Sequence, residues 1–119
     1  MCGIFGIVSA KESNYSENFY AKSLKQLAYL SESRGKDSSG LCAYNQIEDC
    51  IDLVKGPITI KKLFNSLESK KITRHAFKNK KHYKYAFGHS RLVTNGSQLD
   101  NINNQPIVKN GVVSVHNGI

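Results

Sequence analysis

The run Cys2-Gly3-Ile4-Phe5-Gly6-Ile7-Val8 carries no charged side chain and only one polar group, a thiol. Apolar residues fall on both faces of any strand drawn through it. Residues 3–9 are therefore expected to form a fully buried, central strand, because only a strand covered on both sides reads as a continuous apolar run. The segment is far too short to span a bilayer, and it lacks the basic leader of a secretory signal. A cytoplasmic protein with no membrane attachment is expected. The strand accounts for the aliphatic residues but leaves Cys2 unexplained.

One modest domain, 1–119, with one hydrophobic core suits a chain of 119 residues in which 39% are hydrophobic. The formal charge of +8 draws such a chain toward anions in general. Its basic residues concentrate in Lys70–Lys84, "KKITRHAFKNKKHYK". Arg74 is the only arginine there, whereas bidentate reading of phosphates and bases favours arginine. This stretch is expected to be a solvated connector rather than a nucleic-acid patch. Cys2, Cys42 and Cys50 form neither a metal-type pair nor an even disulfide set, which fits a reducing compartment. Cys42 and Cys50 read as thiols buried in strands.

Serines and Asn14 precede a helix of about eighteen residues, ending near Ser33. Tyr20, Leu24, Leu27 and Ala28 form its apolar face. "RGKDSSG" at 34–40 reads as a polar loop. Two short strands follow, joined by a tight turn around Asn45-Gln46. Ile60, Leu63, Phe64 and Leu67 mark a second amphipathic helix, and "YAFGHSRLVTNG" resumes strand character. After the Asn-rich loop "SQLDNINNQP", Asn110-Gly111 between Ile107-Val108 and Val112-Val113 signals a hairpin. The order β-α-β-β-α-β-β-β defines an α+β domain with much antiparallel pairing. The last strand runs into "SVHNGI" with nothing after it to cover its edge, so the sheet is expected to be incomplete at the C-terminus and open to pairing with another chain.

Three groups of residues could carry chemistry. Removal of Met1, which is efficient ahead of a small residue, would give Cys2 both a thiol and a free α-amine. Their reference pKa values are about 8.5 and about 7.7–8.0, so the amine could take the thiol's proton and activate it as a nucleophile. On position alone, an incidental residue leading into a strand is the simpler reading. Asn117 and Gly118 offer an amide and a backbone N–H of the kind that stabilise an oxyanion, although Asn-Gly by itself signals a turn. Arg91 is a natural bidentate clamp for a carboxylate, with Thr94, Asn95 and Gly96 beside it to complete the grip. Arg34 is a second candidate, expected to brace the nucleophile's loop through Asp37. His89 shares a strand face with Arg91 and suits support of the clamp better than a role as base.

These stretches, in this order, resemble the glutamine amidotransferase domain of the class II, N-terminal-nucleophile (Ntn) type. The carriers are "MCGIFGIV" at 1–8, "RGKDSSG" at 34–40, "GHSRLVTNG" at 88–96, "NNQP" at 103–106 and "HNGI" at 116–119. "HNGI" and the arginine strand are most similar to the branch of glucosamine-6-phosphate synthase (isomerising). The resemblance implies an Ntn-hydrolase-like α/β/β/α sandwich and hydrolysis of L-glutamine to glutamate and ammonia. Cys2 would be nucleophile with its α-amine as base, and Asn117 and Gly118 the oxyanion hole. Arg91 would bind the glutamine α-carboxylate with Thr94 and the Asn95 backbone, while Arg34 and Asp37 organise the nucleophile's loop. The ammonia would pass to a synthase domain or subunit, and the glutaminase step needs no cofactor and no metal.

Three departures from the family stand out. Leu92 replaces the aromatic residue that usually follows the arginine, and Asn95 replaces a histidine. The aspartate that grips the glutamine α-amine lies beyond "HNGI" in the family, so impaired activity of the 119 residues is expected. The alternatives are a non-catalytic amidotransferase fragment that pairs its open edge with another chain, and a basic nucleic-acid binder using residues 70–84. The intact motif set argues against the latter.

Overall fold

The structure, a computed structural model, describes residues 1–13, 15–79 and 81–118. Asn14, Lys80 and Ile119, which the sequence places before the first helix, in the basic stretch and at the end of "HNGI", lie outside the described residues. Along the chain come β1 (Gly3–Ser9), α1 (Glu17–Ser31), β2 (Ser38–Asn45), β3 (Cys50–Gly56), α2 (Ile60–Asn65), α3 (Leu67–Phe77), β4 (Lys84–Arg91), β5 (Ile107–Lys109) and β6 (Val112–Ser114). The chain is thus α+β with antiparallel sheets. The order read from the sequence holds, except that the second helix is divided.

Strands β1, β4, β2 and β3 lie side by side in that order, and every neighbouring pair is antiparallel. Alternation along the ladder sends Phe5, Leu41, Ala43 and Ala86 to one face, where they pack with Leu24 and Ala28 of α1, Leu63 of α2 and Phe77 of α3. Each large apolar side chain sealed there contributes about 1.5–3 kcal/mol. Among the described residues no helix is long and apolar enough to cross a membrane.

Strand β1 is at the sheet's edge, not its centre. Ile4 and Val8 point away from the helices and remain 49% and 88% exposed. An apolar run on both faces suggested two covers, but the second face is covered along β2, where Gly40, Cys42 and Tyr44 are buried, and not over Ile4 and Val8 of β1. There Gln105 and Pro106 lie against Gly40, and the Lys55 Nζ donates to the carbonyls of Asn104 and Pro106. At the far end Tyr44 stacks on Tyr83 and Tyr85, leaving Val8 open.

Other boundaries shift for local reasons. The first helix has 15 residues, not about eighteen, and a 3-10 turn carries the chain on to Arg34. Ser38–Gly40, expected in a polar loop, belong to β2 and are buried. Small hydroxyls are tolerated there; Ser39 Oγ donates to the Ile58 carbonyl at 2.7 Å. Ser66 divides the second helix: at ψ 150° it ends α2 and accepts from the Ser69 N–H to start α3. Leu67, assigned to the apolar face, is therefore 84% exposed. Much of the basic "connector" is α3 itself, with Ile72, Ala76 and Phe77 buried and the lysines facing water. The hairpin forms as expected, Asn110 and Gly111 taking φ of 51° and 76°, the left-handed values that a two-residue turn requires.

Two substitutions check the one-sided sheet. Leu24→Ala, in the sealed face, should lower the unfolding free energy by about 2–5 kcal/mol in urea titration. Val8→Ser should change it by less than about 0.5 kcal/mol; a core-sized loss at Val8 would place β1 in the interior instead.

Candidate functional site

The β1–β4 ladder sets Gly3 opposite Ser90, which brings Cys2, one residue earlier, beside the end of β4. Cys2 is buried and its Sγ accepts from the Leu92 N–H at 3.4 Å, with the Leu92 carbonyl 3.6 Å away. Met1 is 73% exposed. Two cavities lie at this end of the sheet. One, of about 600 Å³, has Cys2, Ile4, Leu30, Arg34 and Asn117 in its wall. The other, of about 450 Å³, lies between Met1, Arg34, Asp37 and Leu92. Both fall in the size range of small-molecule sites.

The segment 34–40 supports this corner. A Cβ on Gly35 would sit 2.4 Å from the Arg91 carbonyl carbon and the Leu92 nitrogen. Only glycine lets the loop pass so close to the peptide that touches the Cys2 sulfur. Asp37 Oδ2 accepts from the Val93 N–H at 2.8 Å, and the Asp37 N–H donates to the Arg91 carbonyl at 2.9 Å. The expected Arg34–Asp37 brace is absent: no ion pair joins them among the described residues. Arg34 instead lines both cavities.

Arg91 is 6% exposed. Its Nη1 donates to Asn104 Oδ1 at 3.0 Å, and its Nη2 donates to the carbonyls of Asn95 and Gly96. These bonds leave Nε–H and one Nη1–H for any further acceptor. The turn of Asn95 and Gly96 therefore wraps the guanidinium with its carbonyls. Thr94 is exposed, and its hydroxyl has no hydrogen bond within the described residues.

His89 is completely buried. Its Nε2 lies 3.0 Å from the His116 carbonyl, and since a carbonyl can only accept, the proton is assigned to Nε2. Its Nδ1 has no hydrogen-bond partner among the described residues. Burial lowers the His89 pKa, the bond to His116 partly offsets this, and the charges of Arg91 and His116 lower it further. His89 is thus a neutral donor turned toward residue 116. Asn117 and Gly118 follow directly and are exposed, with Asn117 reaching the Cys2 cavity. By contrast, burial pushes the Cys42 thiol up to about 12 and raises Cys50, whose aspartate and glutamate neighbours add to the effect. Neither is an activated thiol.

Sequence reading missed the sulfur contact of Leu92, because a backbone N–H leaves no trace in residue type. It also gave no role to Asn104 and Gln105, although "NNQP" stood out as a motif. A separate apolar cavity of about 450 Å³ between α1 and α3, lined by Lys25, Phe64, Arg74 and Phe77, contains none of the motif residues. Comparison of the chain with protein-family models, curated proteins and solved structures finds no match in any of the three.

Because its folded pKa lies below its unfolded one, His89 favours the folded state above about pH 6.5. That contribution is lost as pH falls through the folded value. His89→Gln should therefore flatten the fall of Tm with acidification below about pH 6.5. An unchanged slope in thermal melts would show that His89 is not buried in neutral form.

Proposed function

We propose that this chain is the nucleophile-bearing part of an Ntn-type glutaminase, of α/β/β/α sandwich architecture, that releases ammonia from L-glutamine for a synthase domain or partner. The observation that carries the reading is the Cys2 sulfur, held against the Leu92 N–H in a cavity that Asn117 also lines. Neither Cys42 nor Cys50 combines these features.

The chemistry follows from those positions. Once Met1 is removed, the Cys2 α-amine takes the thiol proton and the thiolate attacks the glutamine side-chain carbonyl. The Asn117 amide and the Gly118 N–H receive the negative charge on the tetrahedral oxygen. Collapse breaks the C–N bond; the protonated amine supplies the proton with which ammonia leaves, and a thioester to Cys2 remains. Water, deprotonated by the same amine, attacks the thioester and frees glutamate, returning the sulfur to its starting state. The remaining N–H groups of Arg91 suit the substrate α-carboxylate.

A non-catalytic fragment that assembles with another chain is the second reading, favoured by the exposed Ile4 and Val8 on the open sheet face. Ammonia release from glutamine separates the two. Protein shown by intact mass to lack Met1 should release ammonia at the impaired rate expected of these 119 residues, and Cys2→Ala should abolish this while leaving the fold intact by circular dichroism. Equal release by Cys2→Ala would remove Cys2 from the mechanism. Retained Met1 with no release and a multimeric mass in light scattering would favour the fragment reading.

A further inference from the structure

We propose that the Gln105 side chain is a positioning residue that sets the register of Asn117 and Gly118 against Cys2, with His89 as its auxiliary; this rests on the glutaminase reading above. Gln105 Oε1 accepts from the His116 N–H at 2.5 Å, and Gln105 Nε2 donates to the His116 carbonyl at 3.1 Å. One side-chain amide thus bonds both main-chain groups of one residue, as the neighbouring strand of a sheet would. His89 Nε2 is the second donor to the same carbonyl, whose two lone pairs are then used.

The segment needs such a device. Residues 115–118 lie beyond β6 in no strand, and no backbone–backbone bond reaches them among the described residues. Their tether to the main sheet is made by side chains, at residue 116, immediately before the two groups that would meet the oxyanion.

Gln105 itself stands on a fixed base. Its carbonyl oxygen would lie 2.0 Å from a Cβ on Gly40, so β2 can approach this closely only because glycine occupies that position. Lys55 of β3 donates to the carbonyls on either side of it, Asn104 at 2.7 Å and Pro106 at 2.9 Å. Arg91 of β4 holds the Asn104 side chain, and Asn104 and Pro106 are fully buried. Three strands of the sheet therefore fix the residue whose side chain fixes position 116. This assigns a role to "NNQP": Asn104 meets the expected carboxylate clamp, and Gln105 meets the expected oxyanion segment.

The test compares wild type with Gln105→Ala and the isosteric Gln105→Glu in the full, Met1-processed chain. Glu keeps the acceptor for the His116 N–H but sets a carboxylate oxygen against the carbonyl. Steady-state ammonia release should show kcat falling about 10-fold or more for both variants, with KM within about 2-fold, since substrate binding is left to other groups. Amide exchange by NMR should show the His116 N–H exchanging faster in Gln105→Ala, while amides of β2 and β4 keep their protection. Unchanged kcat per folded molecule would overturn the proposal. So would a loss confined to KM, or exchange that rises throughout the sheet. Should wild type release no ammonia, the glutaminase reading fails by itself. The exchange arm then decides the positioning claim, and an unchanged His116 rate overturns it.

Discussion

The antiparallel ladder between β1 and β4 fixes nearly everything around the candidate site. Its register, from Gly3 opposite Ser90 to Ser9 opposite Lys84, determines which peptide the Cys2 sulfur meets. A slip of one residue would turn Phe5 out of the core and Ile4 into it. Because Phe5 packs with Phe64 and Gly3 fits against Ser31 and Ser90, that slip would cost core packing and a close approach together. The hydrophobic core thereby holds the Cys2 thiol in register.

The sheet separates two tasks. Its helix-covered face supplies the cohesion, through residues such as Leu24, Leu41, Leu63 and Phe77 that have almost no contact with water. The other face, near the Gly40 end, supplies a polar network: Lys55, His89 and Arg91 reach up to the 95–106 loop and to residue 116. Buried polar groups of this kind are costly unless paired, and here backbone carbonyls answer most of them. Among the described residues, the unpartnered Nδ1 of His89 and Oγ of Ser38 are exceptions in that same region. Rigid packing on one side and a bonded loop layer on the other suit a site whose donors must be in place before reaction.

Much of this was legible in the sequence because it depends on local rules. The hairpin at Asn110-Gly111 follows from left-handed backbone, α1 from the spacing of Tyr20, Leu24 and Ala28, and β4 from its alternation. What could not be read depends on tertiary context. Apolar residues on both sides of β1 do not reveal how many sides are covered. The lysines around Ile72, Ala76 and Phe77 hid an amphipathic helix, because charge density outweighed period. At the site, Cys2, Arg91, His89 and Asn117 were visible as residue types in suggestive places. The Leu92 N–H at the sulfur and the engagement of Asp37 by Val93 were not, since both use main chain. The Arg34–Asp37 brace was likewise decided by tertiary context: the loop turns Asp37 to the Val93 N–H and Arg34 to the cavities.

The central claim is that Cys2, freed of Met1, is a nucleophile matched to glutamine. The most direct measurement is peptide mapping by mass spectrometry after brief exposure to an electrophilic glutamine analogue that carries a diazoketone in place of the side-chain amide. The account predicts one adduct, on the N-terminal Cys2 of the processed chain, suppressed by excess L-glutamine and absent where Met1 is retained. Labelling spread over Cys42 and Cys50, or equal labelling of Cys2 with Met1 in place, would contradict it.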